Sequence, residues 1–135
     1  MSPGWFNRRS RRGNALIEFA LAFAVMAPLL SGAFQFGYAF FAYNRLQSAV
    51  RGGARYASVR TYDSNSSTPS AAYQTAVKNM VLYGNPSGGT QPVVPGLTPA
   101  HVEIAVTMDG TKPETVRISI VNYQIYAVFK TDVHL

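Results

Sequence analysis

A long apolar segment near the amino terminus constrains this chain more than any other feature. The 26 residues from Phe19 to Asn44 include no Asp, Glu, Lys or Arg and are mostly Ala, Phe, Leu, Val, Tyr and Met. About 20 apolar residues are enough for a helix to cross the hydrocarbon core of a bilayer. A soluble chain of 135 residues has too little remaining core to surround such a helix. We therefore predict one membrane span over about residues 19–43.

Positive charge is concentrated before this span. The formal net charge is +6, and four of the twelve basic residues lie in the first thirteen positions: Arg8, Arg9, Arg11 and Arg12. Without that segment the net charge is +2, and the remaining basic residues form no recognisable nucleic-acid motif. We predict no nucleic-acid partner. The absence of cysteine excludes disulfides and cysteine-containing zinc sites.

The charges on either side of the span do not decide its orientation. Four arginines also follow it, namely Arg45, Arg51, Arg55 and Arg60. About ninety residues lie beyond the span, and long domains are exported largely regardless of charge. This asymmetry predicts a single-pass membrane protein, with its amino terminus in the cytoplasm and its head outside.

A basic stretch followed by an apolar run is also typical of a secretory signal. Ser31-Gly32-Ala33 offers small residues for cleavage after Ala33. Against this interpretation, the apolar run continues past that site through Phe41, and Glu18 lies within its beginning. An ionised carboxylate inside a span costs about 2.5–3.5 kcal/mol on insertion scales.

Glu18 is the most informative single residue. An acid within a span needs a partner, and no Lys or Arg lies between Phe19 and Asn44. Cleavage after Gly13 would give Asn14 a charged α-amino group about one helical turn from Glu18, and a neighbouring subunit's amine could also pair with it. The alternative is that Glu18 is a solvated residue at headgroup depth.

These residues carry a family resemblance. Arg12-Gly13-Asn14-Ala15-Leu16-Ile17-Glu18-Phe19 resembles the leader junction of type IV prepilins, which are cut after a glycine and have glutamate as the fifth mature residue. More specifically, residues 12–57 resemble the TadE-like family, minor pilins of the tight-adherence (Flp) pilus. The matching elements are Gly13, residues 18–21, Pro28-Leu29-Leu30, Gly32, Phe36-Gly37, residues 43–47 and residues 49–57.

The resemblance implies that Gly13 and Asn14 flank a prepilin-peptidase cut and that Glu18 is the assembly glutamate. The peptidase is a separate membrane aspartyl protease, so this chain would be its substrate. Further implied partners are other major and minor pilins, the assembly platform in the inner membrane, and membrane lipid. One departure is Gln35, where many relatives have an acid. Flp-type major pilins are much shorter chains, which favours a minor pilin or pseudopilin.

Helix-breaking and small residues interrupt the span. Pro28 removes one helix hydrogen bond and usually produces a kink. Gly32 and Gly37 allow close approach of another helix. One interpretation is a span that bends or unwinds as subunits pack, and the other is that Pro and Gly are simply commoner in membrane helices.

The whole chain predicts an α+β, pilin-like fold with three segments. A basic leader occupies residues 1–13, a long helix residues 14–60, and an exported head residues 61–135. In the head, Thr68-Pro69 predicts the start of a second helix and Gly84 its end. Alternation over 102–108 and 116–120 around an Asp109-Gly110 turn predicts an antiparallel hairpin, which Tyr123 to Phe129 could extend or supplement with a third strand.

Nothing in the sequence resembles a catalytic site. His101 and His134 lack metal-ligand spacing, and Asp109 and Glu114 flank a turn, where solvated residues are expected. We therefore predict no enzyme activity, metal, cofactor or small-molecule substrate. The leading hypothesis is a subunit required for pilus assembly, with packing and charge-pairing roles. The alternatives are a single-pass anchored binding protein and a protein secreted after cleavage at Ala33.

Overall fold

A single α-helix of 52 residues, α1, runs from Arg8 to Val59. The computed structural model describes residues 8–125 of the chain, with side chains from Gly13 onwards. The predicted helix is confirmed, and it begins earlier than Asn14 because arginine is a good helix former. The helix also continues through Gly52-Gly53, although each glycine costs about 1 kcal/mol relative to alanine.

The chain divides into two compact units within α1. Residues up to Tyr38 belong to the first unit, and residues from Ala39 onwards form the second. We call the second unit the head unit, because it contains the predicted head together with the end of α1. It contains the end of α1, helix α2 (Ala71–Tyr83), a short 3-10 helix (Pro99–His101), and strands β1 (Val102–Asp109) and β2 (Lys112–Ile120). The α+β class with a long amino-terminal helix is confirmed.

Helix α2 begins later than predicted. Thr68 does not cap it; the N-cap is Ser70, whose hydroxyl accepts a hydrogen bond from the Tyr73 N–H at 3.1 Å. Ser70 is held in place because its own N–H and hydroxyl donate to the Asp63 carboxylate. The Thr68-Pro69 prediction was therefore wrong by two residues, since a loop carboxylate fixes the cap.

The end of α2 agrees with the prediction. Gly84 adopts φ 69°, a left-handed conformation that glycine enters without steric cost, and its N–H donates to the Met80 carbonyl. The next residues have no regular structure until Pro99. They nevertheless pack onto the head, because the Val93 N–H donates to the Leu82 carbonyl at 2.7 Å.

Strands β1 and β2 form the predicted antiparallel hairpin. Val102 pairs with Ile120 and Asp109 with Lys112, and Gly110 in the two-residue turn has φ 60°. The register shifts between Thr107 and Met108, where β2 carries one extra residue. Residues 121–125 contain no strand, so the strand predicted from Tyr123 does not begin there. The rest of that predicted strand lies outside the described residues.

One hydrophobic core joins α1, α2 and the hairpin. Its buried members are Ala57, Tyr73, Val77, Val81, Leu82, Leu97, Val102 and Ile118. Half-buried residues of α1, including Leu46, Val50 and Ala54, pack against it. A two-stranded sheet is marginally stable alone. The hairpin and α2 therefore depend on packing against the end of α1.

Tyr73 links the two helices at the centre of this core. Its ring is fully buried, and its hydroxyl donates to the Ala57 carbonyl at 2.8 Å. That carbonyl belongs to the last turn of α1, where helical partners are missing. Burial raises the pKa of the Tyr73 phenol above its ordinary value, which keeps the phenol protonated as a donor. The contact fixes the end of α1 against α2.

The two adjacent glycines of α1 provide a test of this packing. A Cβ at Gly53 would overlap the Cγ2 atom of fully buried Val81, whereas a Cβ at Gly52 would meet nothing within 4 Å. Both alanine variants gain the same helix propensity, so the comparison isolates packing. We expect Gly53→Ala to be less stable than Gly52→Ala by about 1–3 kcal/mol, the usual cost of overpacking.

This difference is measured by unfolding the full chain with guanidinium in detergent. Near-ultraviolet circular dichroism of the aromatic side chains reports the transition. Gly52→Ala is the matched control. Equal stability of the two variants would show that α1 does not pack on α2 as described.

Candidate functional site

The first part of α1 exposes large apolar side chains. The helix from Gly13 to Val59 is long and apolar enough to cross a membrane, with a mean hydropathy of 1.9 over its most apolar window. None of that window is buried within the chain, and Leu16 and Phe36 are 70% and 75% exposed. A helix that is apolar on all sides is stable only when something covers it. Lipid is the simplest cover, and the helix is consistent with a single-pass anchor.

The predicted cleavage junction lies within regular helix. Gly13 and Asn14 follow the first turn of α1, and Glu18 comes four residues after Asn14. Residues four apart lie on the same helix face, about 6 Å apart along the axis. Glu18 is exposed. The geometry therefore places an exposed carboxylate on the face that carries the backbone nitrogen of Asn14, one turn away.

The basic leader residues precede this junction in the same helix. α1 starts at Arg8 and includes all four predicted leader arginines, Arg8, Arg9, Arg11 and Arg12. Their side chains lie outside the described part of the chain. A Cβ at Gly13 would meet nothing within 4 Å, so no described neighbour requires glycine at this position.

The interrupting residues of the span stay within the helix. Pro28 lies inside α1, where it cannot donate to the Ala24 carbonyl. A Cβ at Gly32 or Gly37 would likewise meet nothing within 4 Å. Packing among the described residues does not explain why these two positions are small. Their role in packing between subunits stays a prediction.

Arg45, the first charged residue after the span, ties α1 to the head. Its guanidinium lies 5.1 Å above the Phe41 ring centre and donates to the Val93 carbonyl at 3.2 Å. Val93 belongs to the irregular segment after α2. Sequence reasoning identified Arg45 only as a flanking charge, because its partner is 48 residues away.

Asp63 and His101, two titratable residues of the head, form hydrogen bonds with nearby residues of the chain. Hydrogen bonds from Ser70, chiefly from its hydroxyl, hold the pKa of the Asp63 carboxyl below its ordinary value. His101 Nδ1 accepts from the Thr98 N–H at 3.1 Å. Over the described residues, no group of three His, Asp or Glu side chains could hold a metal ion.

Comparison with known families gives a match that covers much of this helix. Residues 13–55 match the family model described as TadE-like protein. We call residues 13–55 the TadE-like segment because of this similarity. The match covers about a third of the chain, and the known context of the family is the minor pilin of the Tad pilus. The resemblance predicted from the sequence is confirmed.

The TadE-like segment begins at Gly13 and ends four residues before the end of α1. It therefore includes Glu18, the interrupting residues of the span and Arg45, but not α2 or the hairpin. No curated protein and no solved structure matches the chain. The similarity connects this segment with the Tad pilus and its other components.

Proposed function

We propose that this chain is a minor pilin or pseudopilin required for assembly of a tight-adherence pilus. The observation that carries the proposal is the TadE-like match, which starts at Gly13 on an exposed apolar helix bearing Glu18. Its role is structural: the subunit starts, caps or primes the filament. It is not an enzyme, and its functional residues act by packing and charge pairing.

In the proposed mechanism, prepilin peptidase cuts after Gly13 and removes the basic leader. Before the cut, the Asn14 nitrogen belongs to a neutral peptide bond. After the cut, it becomes a positively charged α-amino group. Glu18 lies one helical turn away on the same face. Its carboxylate can therefore pair with the Asn14 amine of the same subunit or with that of a neighbouring subunit. In a low-dielectric environment such a pair offsets part of the cost of burying each charge, and a carboxylate left without a partner there is strongly destabilising. Docking of subunits would then be favoured only after cleavage.

The proposed orientation places the amino terminus in the cytoplasm and the head outside. The uncharged part of α1 is long enough to cross a membrane. The part of the chain that follows it is long, and long domains are exported largely regardless of the arginines beside the span. This places the head where it can contact other pilins. The assembly platform of the inner membrane would act on the span itself.

Deletion of the gene tests the proposed function. We expect cells without this chain to lack tight-adherence pili, and a plasmid copy to restore them. Pili are counted by electron microscopy and by shearing them from equal numbers of cells. A plasmid copy with Arg117→Gln, a change on the exposed side of β2, is the matched control and should also restore pili. Normal piliation in the deletion strain would contradict the proposal.

A further inference from the structure

A groove opens beside α1 where the span ends. It has a volume of about 600 Å³, within the range of small-molecule sites. Its walls include Phe41, Arg45, Ser48 and Gly52 of α1, with Met80 and Val93 of the head on the other side. We call it the span-exit groove. All these residues belong to the head unit.

The position of the groove relative to a bilayer follows from the sequence. The uncharged segment ends at Asn44, which also lines the groove, so Phe41 lies at the edge of the hydrocarbon and Arg45 just beyond it. From Arg45 to Gly52 the helix rises about 10 Å. Each headgroup layer is about 5–7 Å thick. This placement rests on the membrane insertion proposed above, but it holds for either orientation.

The chemistry of the groove suits an anionic group. Arg45 has five N–H donors in a planar fork, and among the described residues the Val93 carbonyl accepts from one of them. The described residues that line the groove include no carboxylate. Asn44 and Ser48 add polar side chains beside the guanidinium. Guanidinium groups bind phosphate through two parallel hydrogen bonds.

The groove also offers apolar contact and space. Phe41, Met80 and Val93 provide carbon surface on the bilayer side of Arg45 and across from it. Gly52 leaves the far end open, since a Cβ there would meet nothing within 4 Å. A phospholipid has the matching order of groups: acyl chains towards the hydrocarbon, then glycerol, then phosphate.

We propose that the span-exit groove binds one anionic phospholipid. Arg45 holds its phosphate, and the glycerol and first methylene groups lie against Phe41 and Met80. The bound lipid fills the space between α1 and the segment that contains Val93. It thereby supports the head at the membrane surface.

Native mass spectrometry of the full chain in detergent tests this proposal. Phosphatidylglycerol or phosphatidylcholine is added at equal concentration, and lipid-bound protein is counted. We expect the wild-type chain to retain one phosphatidylglycerol, at least about fivefold more often than phosphatidylcholine, which is the effect of one arginine near an anionic surface. Arg45→Gln should lose this preference and Arg45→Lys should keep most of it.

Two further variants test whether the lipid binds in the groove and whether the preference depends on Arg45 rather than on the total charge of the chain. Gly52→Leu fills the groove without changing charge and should reduce retention of both lipids. Arg117→Gln removes the same charge from the exposed side of β2 and should leave the preference unchanged. Equal retention of the two lipids by the wild-type chain, or the same loss in both arginine-to-glutamine variants, would overturn the proposal. So would a dimer that Gly52→Leu abolishes, because a second copy would then occupy the groove.

A separate measurement distinguishes failure of this proposal from failure of the membrane insertion on which it rests. Resistance of the chain to alkaline extraction from native membranes reports insertion independently of lipid selectivity. An extractable chain would contradict membrane anchoring itself. An inserted chain without lipid preference would overturn the span-exit groove proposal alone.

Discussion

Replacement of Glu18 by glutamine is expected to abolish pilus assembly while the chain stays in the membrane. Glutamine has nearly the same shape as glutamate, so the exposed helix face is preserved. The neutral side chain enters a bilayer more easily, since it avoids the cost of about 2.5–3.5 kcal/mol for an ionised acid. What it cannot do is pair with the charged amine of Asn14. We therefore expect Glu18→Gln to lose pilus assembly while its membrane insertion stays the same or improves.

The measurement compares sheared pili with the amount of the chain in the membrane fraction of the same cells. Glu18→Asp retains the charge on a shorter side chain and should assemble better than Glu18→Gln. Ser31→Ala, a polar-to-apolar change elsewhere in the span, is the matched control and should assemble normally. Wild-type numbers of pili with Glu18→Gln would contradict the assembly role of this residue. They would instead favour a solvated carboxylate at headgroup depth.

Local patterns predicted much of this fold. The uncharged run predicted a long helix with exposed apolar side chains, because a helix of that composition requires an apolar environment along its whole length. Alternation over 102–108 predicted the buried side of β1, and Gly84 predicted the end of α2 through its left-handed conformation. Each of these features depends on residues close together in the chain. The candidate junction at Gly13 and Glu18 is local in the same way.

Contacts between distant segments account for what the sequence did not predict. Ser70 replaces Thr68 as the cap because Asp63 binds it from the preceding loop. Leu97 is buried although it lies in a segment rich in Pro and Gly, where no periodicity marks a core residue. The span-exit groove was missed for the same reason, since Arg45 and Val93 form its two sides from 48 residues apart.

Substitution of Gly13 by leucine is expected to prevent maturation completely. The resemblance to prepilins implies that the peptidase requires glycine before the cut. A Cβ at Gly13 would meet nothing within 4 Å, and the surrounding helix surface is exposed, so the variant should fold and insert as the wild type does. Loss of cleavage would then report recognition by the peptidase rather than damage to this chain. Gly32→Leu, at an equally open position within the span, is the matched control and should still be cleaved.

Uncleaved Gly13→Leu chains should also fail to support pili, because Asn14 keeps a neutral amide and Glu18 has no charged amine to pair with. Cleavage of this variant at the wild-type position would show that the peptidase does not require glycine at position 13. Normal pili formed from uncleaved chains would show that maturation is not required for assembly.

Intact mass and amino-terminal sequence of the wild-type chain, purified from native membranes with and without prepilin peptidase, test the central claim most directly. We predict a mature chain that begins at Asn14 when the peptidase is present and retains residues 1–13 when it is absent. A chain that retains those residues in both strains would contradict the pilin assignment and favour a plain membrane anchor. A chain that begins at Phe34 would contradict it in favour of a secreted protein.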